Sequence, residues 1–219
     1  MACDTSWTDV LTAIGTVGAV VVALFGQFLG KLMPPRLRIR MASPLGTPQR
    51  MQIYNHTGPY PVYLRDAEAR YYLLEVSNER RWAKAHHVRV MLLRIEEDHP
   101  TVGWKESWSG SIPMKWQHQE TMGGVRNIGP RALADVFHVM QDSDPASEVA
   151  LQLTPTFGPF GVELRYKRSC VLRLTLQAQC DEADSEPLAV TIRWDGKWHD
   201  GAVEMGQHLR VEVGNGETG

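Results

Sequence analysis

Before Lys31 the chain has no lysine or arginine, and between Lys31 and Arg65 it has no aspartate or glutamate. Cysteine is scarce: Cys3, Cys170 and Cys180 form an odd set without metal spacing, which excludes a disulfide framework and fits free thiols in a reducing compartment. Gly-x-Ser-x-Gly, His-Glu-x-x-His, a Gly-x4-Gly-Lys loop and paired Cys-x-x-Cys are all missing, so no catalytic residue, metal or cofactor is expected. No internal repeat and no linker long enough to separate two domains is present. A net charge of −2 gives no general affinity for nucleic acid. The 219 residues are 43% hydrophobic and 22% charged, which fits one globular domain plus a short appendage and excludes both disorder and a many-span transporter.

The charge is unevenly placed. Six of the 23 lysines and arginines lie in residues 31–65, and from Asp66 onward 17 basic residues face 23 acids. Blocks of this kind mark a surface with a defined neighbour. Just upstream, Val10 to Met33 form an apolar run with one strongly polar side chain, Gln27. As a helix these 24 residues reach about 36 Å, enough for a hydrocarbon core of about 30 Å. Trp7 sits at an interfacial position, and Pro34-Pro35 ends the helix on the far side. Asp4 and Asp9 in the tail argue against a cleaved signal peptide, which opens with basic residues. All nearby positive charge lies C-terminal to the run, which places the N-terminus outside and the C-terminal domain in the cytoplasm.

Thr12, Thr16, Ala19, Ala23, Gly26 and Gly30 make three small-xxx-small pairs on one helical stripe, with Gln27 at its edge. Small residues let helices approach closely in lipid, so a homo-oligomer through this helix is expected. After the prolines, Arg36-Leu37-Arg38-Ile39-Arg40-Met41 alternates strictly, which predicts a strand with Leu37, Ile39 and Met41 inward. Lys31, Arg36, Arg38 and Arg40 then lie where the anionic leaflet of the bilayer is within reach.

Further strands are read at Arg70–Asn78 and His86–Glu96, and in the alternations Leu172/Leu174/Leu176, Leu188/Val190/Ile192/Trp194 and Leu209/Val211/Val213. Turn signals at Gly58-Pro59, Gly129-Pro130, Gly158-Pro159 and Asp195-Gly196 punctuate them, the last predicting a hairpin. Short strands without long helices predict a mainly β fold, an antiparallel sandwich. The expected organisation is a tail over 1–9, a transmembrane helix over 10–33, a basic juxtamembrane segment with the first strands over 34–68, the sandwich over 69–213 and a flexible tail over 214–219.

The segments YYLLEVSN, HHVRVMLLRIEE, NIGPRALADVFHV and CVLRLTLQAQCDEADSEPLAVTIRWDGKW resemble bacterial immunoglobulin-like sandwiches of the cell-adhesion-related type, over roughly residues 69–198. The chain also resembles uncharacterised bacterial single-pass membrane proteins that open with a helix comparable to Thr-Ala-Ile-Gly-Thr-Val-Gly-Ala-Val-Val. The resemblance implies an immunoglobulin-like fold in a bacterial single-pass membrane protein and little about activity; with the flanking charges, the expected site is the bacterial inner membrane.

One cluster suggests a binding face. Trp104, Glu106 and Trp108 share a strand face by parity, and a turn near Ser111 would return Met114, Trp116 and His118 along it. Trp104, Trp108, Trp116 and His118 would then stack a planar ligand or anchor a partner, the other reading being that they fill the core. His86 and His87 are adjacent, so strand parity points them to opposite faces. The acids Asp142, Asp144 and Glu148, and Asp181, Glu182, Asp184 and Glu186, read as solvated loops. These features predict a non-enzymatic, membrane-anchored, self-associating interaction or sensor module that meets a cytosolic protein or small ligand. The alternative is a signal-gated effector of the antiphage-defence type, whose oligomeric helices perturb the bilayer.

Overall fold

The structure is a computed structural model and describes residues 7, 11–12, 14–20, 34–55, 60–80, 82–117, 126–128, 131–142, 149–158 and 161–215. In chain order its strands are β1 (Leu37–Met41), β2 (Thr47–Asn55), β3 (Val62–Asn78), β4 (Ala85–His99), β5 (Gly103–Pro113), β6 (Arg126–Ile128), β7 (Arg131–Asp142), β8 (Ala150–Leu153), β9 (Arg165–Tyr166), β10 (Cys170–Gln179), β11 (Leu188–Trp194) and β12 (Leu209–Asn215), with a short helix α1 (Ala202–His208) before the last. They form two antiparallel sheets. One is ordered β1-β3-β7-β8-β9 with β2 also on β3; the other is β12-β11-β10-β4-β5 with β6 on β4.

The alternations of the sequence become the inner faces. Leu172, Leu174, Leu176 and Ala178 of β10 are fully buried, as are Val190 and Ile192 of β11. From the other sheet Leu37, Ile39, Tyr72, Leu74, Val76, Phe137 and Val139 meet them in one core, with Tyr72 and Phe137 stacked 4.4 Å apart. Period-2 burial of this kind is what fixes register, because a one-residue slip would turn every Leu outward.

β3 is the spine of its sheet. Its C-terminal half pairs with β1, from Leu37↔Asn78 to Met41↔Leu74, and its N-terminal half pairs with β2, from Thr47↔Tyr71 to Asn55↔Val62. The β1–β2 turn lies against Arg70 and Tyr72. Gly46 there has φ +68°, and a Cβ on it would sit 2.7 Å from Arg70 Cγ. Arg70 is itself buried, donating to the carbonyls of Leu45 (3.2 Å) and Asp200 (2.7 Å), so a charged side chain closes this end of the core. Beyond Ala67, which faces Asp142 at the end of β7, β3 continues as a ribbon with β2.

Two expectations are revised, and a third falls largely outside the described residues. First, β5 does not turn near Ser111. It runs through Pro113 against β4, with register shifts at Leu92/Arg94 and Ile95/Glu96, and the tight turn lies at the other end, before Gly103. Residues 114–117 then cross to the first sheet, where Met114 bridges Pro155 and Trp116 bridges Ala134. Second, Asp195-Gly196 joins strands that do pair, but α1 is inserted between them. Asp195 closes that insertion by accepting from Lys197 N–H (2.9 Å) and by pairing with His208 Nδ1 (2.8 Å), while Met205 of α1 plugs the core.

Third, among the described residues no helix is long and apolar enough to cross a membrane. Helical turns occupy residues 11–12 and 14–20, whereas residues 21–33 of the expected span lie outside the described residues. So do the expected turns at Gly58-Pro59 and Gly129-Pro130, and the acids Asp144 and Glu148.

The burial pattern separates the tryptophans energetically. Trp116 is 1% exposed, whereas Trp104 is half-buried near the start of β5. Truncating a buried tryptophan costs about 3–5 kcal/mol. Trp116→Ala is therefore expected to lower the melting temperature of the full chain in detergent by many degrees, and Trp104→Ala by only a few. Equal shifts in thermal denaturation would contradict this division.

Candidate functional site

The tryptophans do not form one binding face. Trp104 is covered by the Arg173 guanidinium 3.9 Å above its ring, and Arg173 is also 3.7 Å from Glu96. A cation over an indole face is a favourable contact, so this ring is engaged within its own sheet. Trp108 is half-buried against the core and lies over Gly110, where a Cβ would meet its ring at 2.5 Å. Trp116 is inside the core on the crossing segment, and His118 lies outside the described residues. Parity fails because the register shifts of β5 and the change of sheet at residue 114 break the simple alternation.

Of the helix-packing set, Thr12, Thr16 and Ala19 are helical and exposed, and the Thr16 hydroxyl donates to the Thr12 carbonyl at 2.8 Å. Ala23, Gly26, Gln27 and Gly30 lie outside the described residues, as does Lys31. Arg38 and Arg40 of β1, and Arg36 just before it, are placed as the alternation predicts, exposed on the outer side, but each meets a carboxylate. Arg36 and Arg38 contact Glu79 at 3.3 and 3.1 Å, and Arg40 contacts Glu75 at 2.8 Å. Exposed pairs of this kind add about 0–1 kcal/mol to stability, yet they do offset the positive field the three arginines would otherwise present.

His86 and His87 depart from parity. His87 has φ +52°, and the β4–β6 register shifts between Ala85 and Val88. The resulting bulge lets both rings reach the β10–β11 turn, His86 to Glu182 at 2.5 Å and His87 to Asp181 at 2.6 Å. Burial pushes the Glu182 carboxyl up, but hydrogen bonds from His86 and Cys180 outweigh it and hold the carboxyl below its usual range. Among the described residues no group of three or more His, Cys, Asp or Glu could hold a metal ion.

Two clefts mark opposite ends of the sandwich. One, of about 500 Å³, is lined by Glu97, Asp98, His99, Tyr166, Lys167 and Cys170 among others. The Tyr166 hydroxyl donates to Glu97 at 3.0 Å. Burial, and then the charges of Glu97 and Glu163, push the Cys170 thiol up to about 12, so it stays protonated and is no nucleophile at neutral pH. The other cleft, of about 530 Å³, lies beside His87, Arg89, Gln179, Cys180 and Asp181. Burial and nearby Glu182 raise the Cys180 thiol as well, against lowering hydrogen bonds from the turn backbone.

What the domain does expose is apolar surface at the end of the β2–β3 ribbon. Tyr60 is 77% exposed, and Val62, Tyr63 and Leu64 are about half exposed or more. At roughly 3.3 Å per residue this tip is about 50 Å along β3 from Asn78, beside which Pro34 and Arg36 enter the fold. The tip went unmarked because Tyr63 and Leu64 lie in the 34–68 segment, which reads as basic juxtamembrane chain with the first strands. Proline and tyrosine interleaved at Pro59-Tyr60-Pro61-Val62-Tyr63 were the available signal.

With this geometry in hand, comparison with known proteins adds nothing further: no family model, no curated protein and no solved structure matches the chain.

One buried group lends itself to a pH test. His138 on β7 is 6% exposed, packs 5.0 Å from the Tyr71 ring, and has no hydrogen-bond partner for either nitrogen among the described residues. Burial, then the charges of Lys115 and Arg165, lower its pKa from 6.5 to about 4. The unfolded chain therefore binds a proton that the folded chain refuses. The stability is complete above pH 6.5 and is lost as pH falls from there toward 4, by about 2 kcal/mol at pH 5. His138→Phe, which keeps a ring against Tyr71, is expected to lose less stability than the wild type between pH 7.5 and pH 5. Identical losses in parallel denaturant titrations would show that His138 carries no such linkage.

Proposed function

We propose that the protein is a single-pass, self-associating interaction module of the inner membrane, with its β-sandwich, of immunoglobulin-like type, in the cytoplasm and no catalytic role. The observation that carries the reading is the placement of the two ends of β3. The chain enters beside Asn78, directly after the apolar run, and the exposed apolar tip stands at the other end, directed away from that entry. Exposed apolar patches of this sort mark partner sites more often than isolated surface residues do. A tether adds effective concentration, so a small tip suffices for useful binding.

The first helical turns support the anchor. Leu11, Ile14, Val17 and Val20 are each more than half exposed, and a helix apolar at all these positions needs lipid or another helix to cover it.

Two measurements test this reading. A photoreactive residue at Val62 in living cells is expected to give a discrete crosslink to a cytosolic protein, and the joint replacement of Tyr60, Tyr63 and Leu64 by serine should abolish it while leaving the melting temperature near wild type. A crosslink to a periplasmic protein would reverse the orientation, and none at all would remove the tip as a partner site. Separately, replacing Ala19, Ala23 and Gly26 with leucine keeps the run apolar but fills its small-residue stripe. The signal of a membrane two-hybrid assay for self-association should fall, and an undiminished signal would leave the stripe without a role.

A further inference from the structure

Between β3 and β4 the sequence reads Glu79-Arg80-Arg81-Trp82-Ala83-Lys84, and the structure fastens this loop to the point where the chain enters the domain. Asn78, almost fully buried, is the node. Its Oδ1 accepts from the backbone N–H of Arg36 and of Arg80, both at 3.1 Å, and its Nδ2 donates to the Ala83 carbonyl. The Glu79 N–H donates to the Arg36 carbonyl at 2.9 Å. The Arg80 guanidinium donates to the Pro34 carbonyl at 2.8 Å, one residue past the apolar run. The loop therefore holds a fixed position relative to Pro34.

On this mount Trp82 is 62% exposed, with Arg80 5.9 Å from its ring centroid, and Lys84 is exposed beside it. A large indole left in solvent is unfavourable unless something covers it, and tryptophan flanked by basic side chains is the composition that settles at headgroup depth. Charge selects which side of this end meets the bilayer. Glu79 is taken up by Arg36 and Arg38, whereas Glu182 and Asp181 meet His86 and His87 on the other sheet, with Asp184 and Glu186 following in the same turn.

We infer that the loop carrying Arg80, Trp82 and Lys84 is a bilayer-docking element, with Arg80 fastening it to Pro34, Trp82 at headgroup depth and Lys84 on anionic lipid, and that it tilts the domain so that the acidic β10–β11 turn faces away. The inference rests on the anchored reading above. It names a contact made by the folded domain itself, separate from the span and from the arginines of β1, which are already paired.

The test uses the full chain reconstituted into phosphatidylcholine–phosphatidylglycerol vesicles in which the phosphatidylcholine carries brominated acyl chains that quench nearby tryptophan. Trp82→Phe is expected to remove about half of the quenched emission, since Trp7 and Trp82 are then the two interfacial tryptophans. Trp104→Phe, at the opposite end, should leave the quenched emission unchanged. Replacing the phosphatidylglycerol with neutral lipid should reduce the Trp82 component. Wild-type quenching in Trp82→Phe overturns the inference, as does a crosslink from position 82 to a second copy that is indifferent to lipid charge. Alkaline carbonate separates the two levels. Release of the wild-type chain removes the anchored reading and this inference together, whereas retention with unchanged quenching removes the docking alone.

Discussion

Residues 113–117 must satisfy two sheets at once, and the rest of the domain is arranged around that requirement. Met114 still donates its N–H to Val90 of β4, while Lys115 N–H donates to Thr154 and Lys115 and Leu133 carbonyls accept from Asp135 and Gln117. The Pro113 carbonyl takes both the amide and the hydroxyl of Thr156. A buried backbone needs every such group paired, so the crossing is possible only where both sheets offer free edges at one corner. Trp116 lies on this crossing and fills the core beneath it. The indole is thus held by backbone bonds on either side, and this is why its neighbours in sequence, Trp104 and Trp108, cannot join it on a common face.

The length of β3 has a comparable consequence. A strand of 17 residues is too long for one partner on its first side, so β1 and β2 share it and the β1–β2 turn falls over its middle. Where the turn falls, the inner face changes character: Tyr72 belongs to the core, and Arg70 two residues earlier is locked onto the carbonyls of Leu45 and Asp200. A buried guanidinium with two carbonyl acceptors ends the hydrophobic layer with its terminal nitrogens paired, while its Nε is without a partner among the described residues. Past this seal the ribbon keeps only a small separate cluster, Ala67, Ala69 and Met140 with Met51, Ile53 and Tyr71 against it. Its apolar side chains at Val62, Tyr63 and Leu64 are exposed because the sandwich has ended, which separates the tip from the core both in distance and in energetics.

Period-2 patterning made the strands legible wherever a strand keeps one register. Leu37 and Ile39, the leucines of β10 and Val190 and Ile192 of β11 all face inward as their alternation predicts. The pattern misled where an extra residue entered the ladder. β5 shifts twice against β4, and His87 adopts φ +52°, so parity assigned the tryptophans to one face and the two histidines to opposite ones. Nothing in the residues themselves announces either bulge, since each depends on what the partner strand presents. The helix α1 escaped notice for a related reason: seven residues with Met205 as its lone buried side chain carry no helical periodicity. Long-range ion pairs such as Arg40–Glu75 were illegible because they require knowing which strands are neighbours.

The basic block shows how one set of residues can act at two stages under different physics. On the anchored reading, arginines near the end of a span bias its orientation during insertion, when the domain is unfolded and every guanidinium is unpaired. After folding, Arg36, Arg38 and Arg40 are engaged by Glu79 and Glu75, whose carboxylates come from the far end of β3 and the loop beyond it. The topological signal therefore does not persist as an equal lipid-binding signal, since folding supplies the acids that the 31–65 segment lacks. The next cations at that end come from a separate part of the sequence: Arg80, part-buried, is held on Pro34 and the Asn78 node, and Lys84 is exposed. A contact between the folded domain and the bilayer must then be built by tertiary structure, from a loop some 45 residues downstream of the span. That division leaves the juxtamembrane strand free to serve as an ordinary edge of the sheet.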